Sequence, residues 1–140
     1  MTYLLDTNVV SELYKTPPFA SVSSFVNSAE DQSFISVITL AELRFGVATL
    51  AQGRRRDALE RWLDADLQDR FEGRVLDIDS ATARAWGDLM ALSQRVGANV
   101  HAMDGMIAAT ALAHDLTLVT RNIRDFVKLD VRLLNPWDDA

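Results

Sequence analysis

Three acidic residues stand where an acid has chemistry open to it. Asp6 follows a short apolar run in Leu4-Leu5-Asp6-Thr7-Asn8, Glu42 lies in Thr39-Leu40-Ala41-Glu42-Leu43-Arg44-Phe45-Gly46, and Asp104 lies in Ala102-Met103-Asp104-Gly105-Met106-Ile107-Ala108-Ala109. Two carboxylates about 4 Å apart repel by about 4 kcal/mol at an effective dielectric of about 20, so a gathered group of them calls for a cation. The chain has no cysteine, and His101 and His114 are thirteen residues apart and form no ligand pair. An all-oxygen donor set selects Mg²⁺, with Mn²⁺ as the alternative, over zinc. Such an ion lowers the pKa of a bound water and stabilises charge developing on a phosphate.

Each acid also has a simpler reading. Asp6 can cap a first helix, although Asp6, Thr7 and Asn8 together exceed what one helix start requires. Glu42 completes a capping box if its helix starts at Thr39. If the helix starts at Ser36 instead, Glu42 lies a turn inside among Ile38, Leu43 and Phe45, where a carboxylate needs a cation or a donor. Asp104 suits the positive end of a helix, yet that helix is apolar on nearly every side, a setting in which charges are rarely left unpaired. Further along, Thr120 and Asn122 in Leu118-Val119-Thr120-Arg121-Asn122 should emerge at the same edge as Asp6, with Asn122 otherwise a helix cap.

Short apolar runs supply the elements that would bring these groups together. Tyr3–Leu5, Ser33–Ser36, 74–78, 117–120 and 132–134 have strand length, and longer segments of helical spacing separate them. Leu40, Leu43, Val47 and Leu50 form one helical stripe, and Ala58, Trp62 and Ala65 form another. Pro17-Pro18 should end one helix and start the next. Strands alternating with helices predict an α/β fold, a three-layer α/β/α sandwich around a parallel sheet of about five short strands. Ligands bind such sheets beyond the carboxyl ends of the strands, where the strand order reverses. Asp6 and Thr120 should lie there.

The 140 residues fit one domain, 1–140, and a composition 49% hydrophobic and 24% charged is that of an ordinary globular chain. Absence of cysteine suits a reducing cytoplasm, and neither a signal peptide nor a membrane span is expected. The net charge is −6 with a pI near 4.8, the opposite of a protein that grips nucleic acid through phosphate contacts alone. A nucleic-acid substrate therefore requires bound cations or a local basic patch. Arg54-Arg55-Arg56, with Arg44 and Arg61 nearby, is the strongest cluster, and its plain alternative is a solvated helix start.

The segments Leu5–Ser11, Thr39–Val47, Asp104–Ala109 and Leu118–Asn122 resemble the successive motifs of PIN-domain toxins, the VapC-like ribonucleases of type II toxin–antitoxin systems. The closing Leu134-Asn135-Pro136-Trp137 resembles the FitB-type branch. The resemblance runs from Tyr3 to Trp137. It implies a PIN-like fold and a Mg²⁺- or Mn²⁺-dependent endoribonuclease acting on single-stranded or looped RNA. It also implies a homodimer and a cognate antitoxin that carries its own DNA-binding domain. By motif matching, Asp6, Glu42 and Asp104 take the family's three acidic positions. Asn122 stands where the family has a fourth acid, and Asp125, a turn further on, is a candidate to replace it.

On this reading Asp6 and Asp104 bind the cation, and Glu42 helps hold it or takes a proton from the attacking water. Asn122 and Thr120 orient the water or the phosphate, with Asn8 as a further polar auxiliary. Arg44, Arg54, Arg55 and Arg56 could contact RNA or the antitoxin. Two rivals remain. An aspartyl-phosphate enzyme with Asp6 as nucleophile would want a lysine just after a strand, which neither Lys15 nor Lys128 provides. A PIN-like interaction module without catalysis would not need three acids.

Overall fold

The computed structural model describes residues 1–138. Five strands form one sheet: β1 (Tyr3–Leu5), β2 (Ser33–Ser36), β3 (Val75–Leu76), β4 (Thr117–Val119) and β5 (Leu133–Leu134). Their order is β3-β2-β1-β4-β5 and every neighbouring pair is parallel. The eight helices among the described residues are α1 (Thr7–Glu12), α2 (Ala20–Ser28), α3 (Val37–Ala48), α4 (Arg54–Arg61), α5 (Leu67–Arg70), α6 (Ser80–Val96), α7 (Ala102–Ala113) and α8 (Ile123–Phe126).

Side chains alternate across a strand, so these short runs feed two cores. Leu4, Phe34, Leu76, Leu118 and Leu133 face one side, where Leu89 of α6, Ile107, Ala108 and Ala111 of α7 and Phe126 of α8 cover them. Leu5, Ile35, Val75, Val119 and Leu134 face the other, against Val9 and Val10 of α1, Val22 and Val26 of α2, and Val47 of α3. Both faces of the sheet are thereby removed from water, as a parallel sheet requires. The three-layer arrangement expected from the sequence is the one observed.

Three local expectations need correction. The Pro17-Pro18 pair does not itself bound two helices, because α1 already ends at Glu12 and α2 starts only at Ala20. The stripe Ala58–Trp62–Ala65 is not buried as a whole. A π turn at Trp62–Asp66 widens the helix between α4 and α5, so Leu59, Leu63 and Leu67 reach the core together with Trp62 of the expected stripe, while Ala65 is left exposed. The strand ends are also trimmed: β3 holds only Val75 and Leu76 of 74–78.

The antiparallel pair α6 and α7 sets the height of Asp104. Asp79 caps α6 by accepting from the Thr82 amide at 2.8 Å, and Gly97 ends it in the left-handed conformation at φ 70°. Gly105 lets the two helices approach closely, since a Cβ there would stand 2.6 Å from Sδ of Met90. Among the described residues, no helix is long and apolar enough to cross a membrane.

Candidate active site at the strand ends

The order in which strands are added reverses between β1 and β4, the two neighbours from which the sheet grows outward both ways. The crevice beyond their carboxyl ends is where an open parallel sheet takes a ligand. Asp6 leaves β1 there and Thr120 leaves β4 beside it. The Asp6 amide donates to Val119 O at 2.9 Å and the Thr120 amide to Leu134 O at 2.9 Å, so the ladder itself fixes both residues.

Asp6 is 3% exposed and caps α1. Its Oδ1 accepts from the Thr7 amide at 2.7 Å, and its Oδ2 accepts from the Thr120 hydroxyl at 2.7 Å. The capping reading is therefore correct, but it uses one oxygen only, and Oδ1 keeps a lone pair. Burial drives the pKa of Asp6 from 3.8 up to about 6, the bonds from Thr120 and Thr7 oppose this, and the charges of Asp104 and Glu42 push it further up.

Glu42 is not part of a capping box. Ser36 caps α3 through its Oγ, which accepts from the Ile38 amide at 3.0 Å, and Thr39 is the third residue of the helix. Glu42 thus lies a turn inside and is half-buried. Its Oε1 accepts from the Thr7 hydroxyl at 2.7 Å, and the Thr7 and Thr39 hydroxyls are 3.0 Å apart. Thr7 has a single hydroxyl proton and gives it to Glu42, so Thr39 must donate to Thr7. This relay pins one oxygen of Glu42 and leaves the other unengaged.

Asp104 sits in the first turn of α7, half-buried. Burial raises its pKa first, the charges of Glu42 and Asp125 add to the rise, and His101 opposes it. Asp6 therefore lies in the fields of Asp104 and Glu42, and Asp104 in those of Glu42 and Asp125, although the four arrive from separate segments. Asp125 is itself exposed.

The amide and hydroxyl groups divide their roles. Asn122 precedes α8 in the cap position, but its side chain makes no capping bond, which leaves the carboxamide available. Its backbone amide donates to Thr120 Oγ1 at 3.0 Å. Asn8 acts as a brace: its Oδ1 accepts from the Arg121 amide at 3.3 Å, while its Nδ2 stands 3.4 Å from both Asp6 Oδ2 and Thr120 Oγ1.

Could these residues hold a divalent cation? Among the described residues, no three acidic or histidine side chains converge closely enough to grip one ion directly. The donor chemistry nevertheless fits Mg²⁺, which usually takes one or two carboxylates and fills the rest of its shell with water. Buried carboxylates that raise one another's pKa are also what a bound cation would relieve. The group fits as a water-rich site and not as a closed cage.

The basic residues singled out in the sequence do not gather at this rim. Arg44 is ion-paired with Asp64 of the π turn. Arg56 bonds Glu60 at 3.3 Å and Leu50 O at 3.3 Å, bracing the turn between α3 and α4. Arg54 and Arg55 are exposed at the start of α4. Two other features went unnoticed in the sequence. One is the Thr39–Thr7–Glu42 relay, for which the run Asp6-Thr7-Asn8 was the available clue. The other is Arg121, whose guanidinium lies 5.0 Å above the Trp137 ring. The clue there was that a residue between Thr120 and Asn122 must share their edge.

Comparison with known proteins agrees with this geometry. The profile of the PIN domain matches residues 3–131. A VapC ribonuclease of Sinorhizobium fredii, Y4jK, is 38% identical over 138 residues, covering 98% of this chain and 99% of its own. Toxin FitB of Neisseria gonorrhoeae is 38% identical, covering 97% of this chain and 99% of its own. The crystal structure of VapBC2 from Rickettsia felis, bound to a DNA fragment from its promoter, superposes with a TM-score of 0.83 at 28% identity. That match covers 99% of this chain and 100% of the other.

Proposed function

The chain belongs to the PIN-domain family, and from that premise we propose that it is the toxin of a type II toxin–antitoxin pair, a divalent-metal-dependent endoribonuclease cutting single-stranded or looped RNA. One observation carries the reading. At the switch point of the sheet, Asp6 and Asp104 each have a raised pKa to which neighbouring carboxylates contribute. Asp6 has hydrogen-bond donors in Thr7 and Thr120, but the charges that act on it and on Asp104 include those of other carboxylates, an arrangement that burial alone does not call for. The VapC ribonuclease and the FitB toxin among the relatives support the same activity.

Asp6 and Asp104 would hold the cation, Mg²⁺ or Mn²⁺, with Glu42 near its water shell. When bound, the ion would lower the pKa of a coordinated water and offset charge on the phosphate. The chain's own residues do the positioning. The Thr120 hydroxyl and the Thr7 amide fix the Asp6 carboxylate. Thr7 holds one oxygen of Glu42, so that the other can take a proton from the attacking water. The carboxamide of Asn122, unused in capping, orients that water or the phosphate. The water oxygen bonds to phosphorus as the bond to the 3′ oxygen breaks and that oxygen takes a proton from solvent, which leaves a 5′-phosphate and a 3′-hydroxyl.

In this reading the partner is a cognate antitoxin with its own DNA-binding domain, as the promoter-bound VapBC2 relative supports. Arg54 and Arg55, exposed at the start of α4, are available to such a partner, and the toxin acts as a homodimer. Replacing Asp104 by Asn tests the proposal. The variant should stay folded and lose RNA cleavage in Mg²⁺ or Mn²⁺, whereas cleavage at the wild-type rate would end the assignment. For a non-catalytic interaction module, calorimetry would instead find no saturable divalent-ion binding and wild-type protein would leave RNA intact.

A further inference from the structure

An anionic protein that cuts an anionic polymer needs positive charge close to its acids. Six of the fourteen lysines and arginines are already engaged in ion pairs among the described residues. Lys15 pairs with Glu12, Arg44 with Asp64, Arg56 with Glu60, Arg70 and Arg74 with Glu30, and Arg132 with Asp115. Arg121 and Arg124 have a different setting. Together with Asn122, Ile123 and Asp125 they line a hollow of about 360 Å³ directly after β4. Both are exposed and neither makes an ion pair within 4.0 Å among the described residues, although the charge of Arg121 is felt by Glu12, which is itself paired with Lys15.

The hollow is polarised. Asp125 lies in the field of Asp104, and Arg121 lies against Trp137. Arg121 is also preorganised. Its backbone is tied to Asn8, and its guanidinium is stacked 5.0 Å from the Trp137 centroid. Trp137 is itself held, because its amide bonds Asn135 Oδ1 at 2.9 Å and the Pro136 carbonyl accepts from Ser21 at 2.7 Å. A stacked guanidinium loses little freedom on binding and keeps its edge free for phosphate oxygens.

We infer that this hollow is a substrate subsite: Arg121 and Arg124 bind the phosphate of single-stranded RNA next to the one being cut, and Trp137 positions Arg121 for it. The inference rests on the nuclease reading and names where the RNA strand runs. Asp125 lies at the boundary between subsite and acidic centre, so the phosphate sits on the arginine side.

The test uses the full chain and a labelled single-stranded oligoribonucleotide of mixed sequence. Arg121→Ala should raise KM by about tenfold to a hundredfold with kcat changed less than about threefold, the loss expected for one charge-assisted contact. The slope of log kcat/KM against log salt should become shallower by about 0.7, the value for one phosphate on a single strand. Arg124→Ala should act in the same direction, and Arg121→Lys should recover part of the loss. Arg132→Ala, beside Asp115 at the amino-terminal end of β5 and so at the far end of the strands, should change neither quantity. Unchanged KM and salt slope in both Arg121→Ala and Arg124→Ala would overturn the subsite, as would a loss confined to kcat. Fluorescence anisotropy without divalent ions separates the two claims. Weaker RNA binding by Arg121→Ala supports the subsite even if no cleavage is found, and equal binding overturns it even if the wild type cuts.

Discussion

The Thr120 hydroxyl donates to Oδ2 of Asp6 at 2.7 Å, across the boundary between β4 and β1. Its direction is fixed, because an ionised carboxylate has no proton to donate, and the hydroxyl oxygen in turn accepts from the Asn122 amide at 3.0 Å. A side chain 114 positions away in sequence therefore holds the carboxylate charged against its burial. Thr120→Val should raise the pKa of Asp6 further, by about one to two pH units, since a hydrogen bond to a charged group contributes about 1.5–3 kcal/mol. NMR titration of the Asp6 carboxyl carbon would measure it. Thr120→Ser should restore both the titration and RNA cleavage.

Thr7 serves Glu42 in a comparable way. Thr7→Val removes the donor at 2.7 Å and leaves Oε1 without its fixed partner. RNA cleavage should fall about tenfold or more, the loss of one hydrogen bond to a charged group, with the effect in kcat. RNA binding measured without divalent ions should remain at the wild-type level. A change in binding alone would contradict the role given to this relay.

Burial of Asp6 has a sign that can be tested. An acid whose pKa rises from 3.8 unfolded to about 6 folded costs stability above about pH 6. That cost fades as the pH falls from about 6 towards 3.8, because the folded state takes up the proton first. The difference corresponds to about 3 kcal/mol at neutral pH. Metal-free protein should therefore gain stability from Asp6 as the pH drops from about 7.5 to 5. In Asp6→Asn this component should be absent, and the thermal midpoint at neutral pH should be higher than in the wild type. Mg²⁺ should stabilise the wild type at neutral pH and leave Asp6→Asn unaffected.

Gly105→Ala weighs two effects. Alanine favours a helix over glycine by about 0.5–1 kcal/mol. Its Cβ would stand 2.6 Å from Met90 Sδ and 3.3 Å from Trp86 Nε1. The Met90 side chain can swing away, but the Trp86 indole is tied to Ala102 O at 3.2 Å. Overpacking costs about 1–3 kcal/mol, so the net result should be a loss of about 1 kcal/mol and a thermal midpoint lower by a few degrees. Because α7 carries Asp104 one residue away, cleavage should suffer more than stability does.

Much of this arrangement was legible in the sequence, for physical reasons that can be named. Leu4 and Leu5 are both apolar because a parallel strand is covered on both faces, and that pattern places the following Asp6 at a strand end. Asp104 could be singled out because its helix is otherwise apolar on nearly every side. Glu42 was ambiguous for an equally definite reason: Ser36 and Thr39 can both cap a helix, and only packing chose Ser36. Helical periodicity assumes about 3.6 residues per turn, so the π turn at Trp62–Asp66 displaced the predicted stripe. The pairing of Arg44 with Asp64 joins residues twenty apart in the chain and could not be read from local charge.

The strand order has a consequence for synthesis. β1 is central, yet its neighbours β2 and β4 begin at Ser33 and Thr117. Asp6 leaves the ribosome early and waits for Glu42, Asp104 and finally Thr120 before it has neighbours. Contacts spanning so much of the chain form late. A nascent chain therefore cannot assemble its acidic centre until β4 and the Thr120 that follows it have been made.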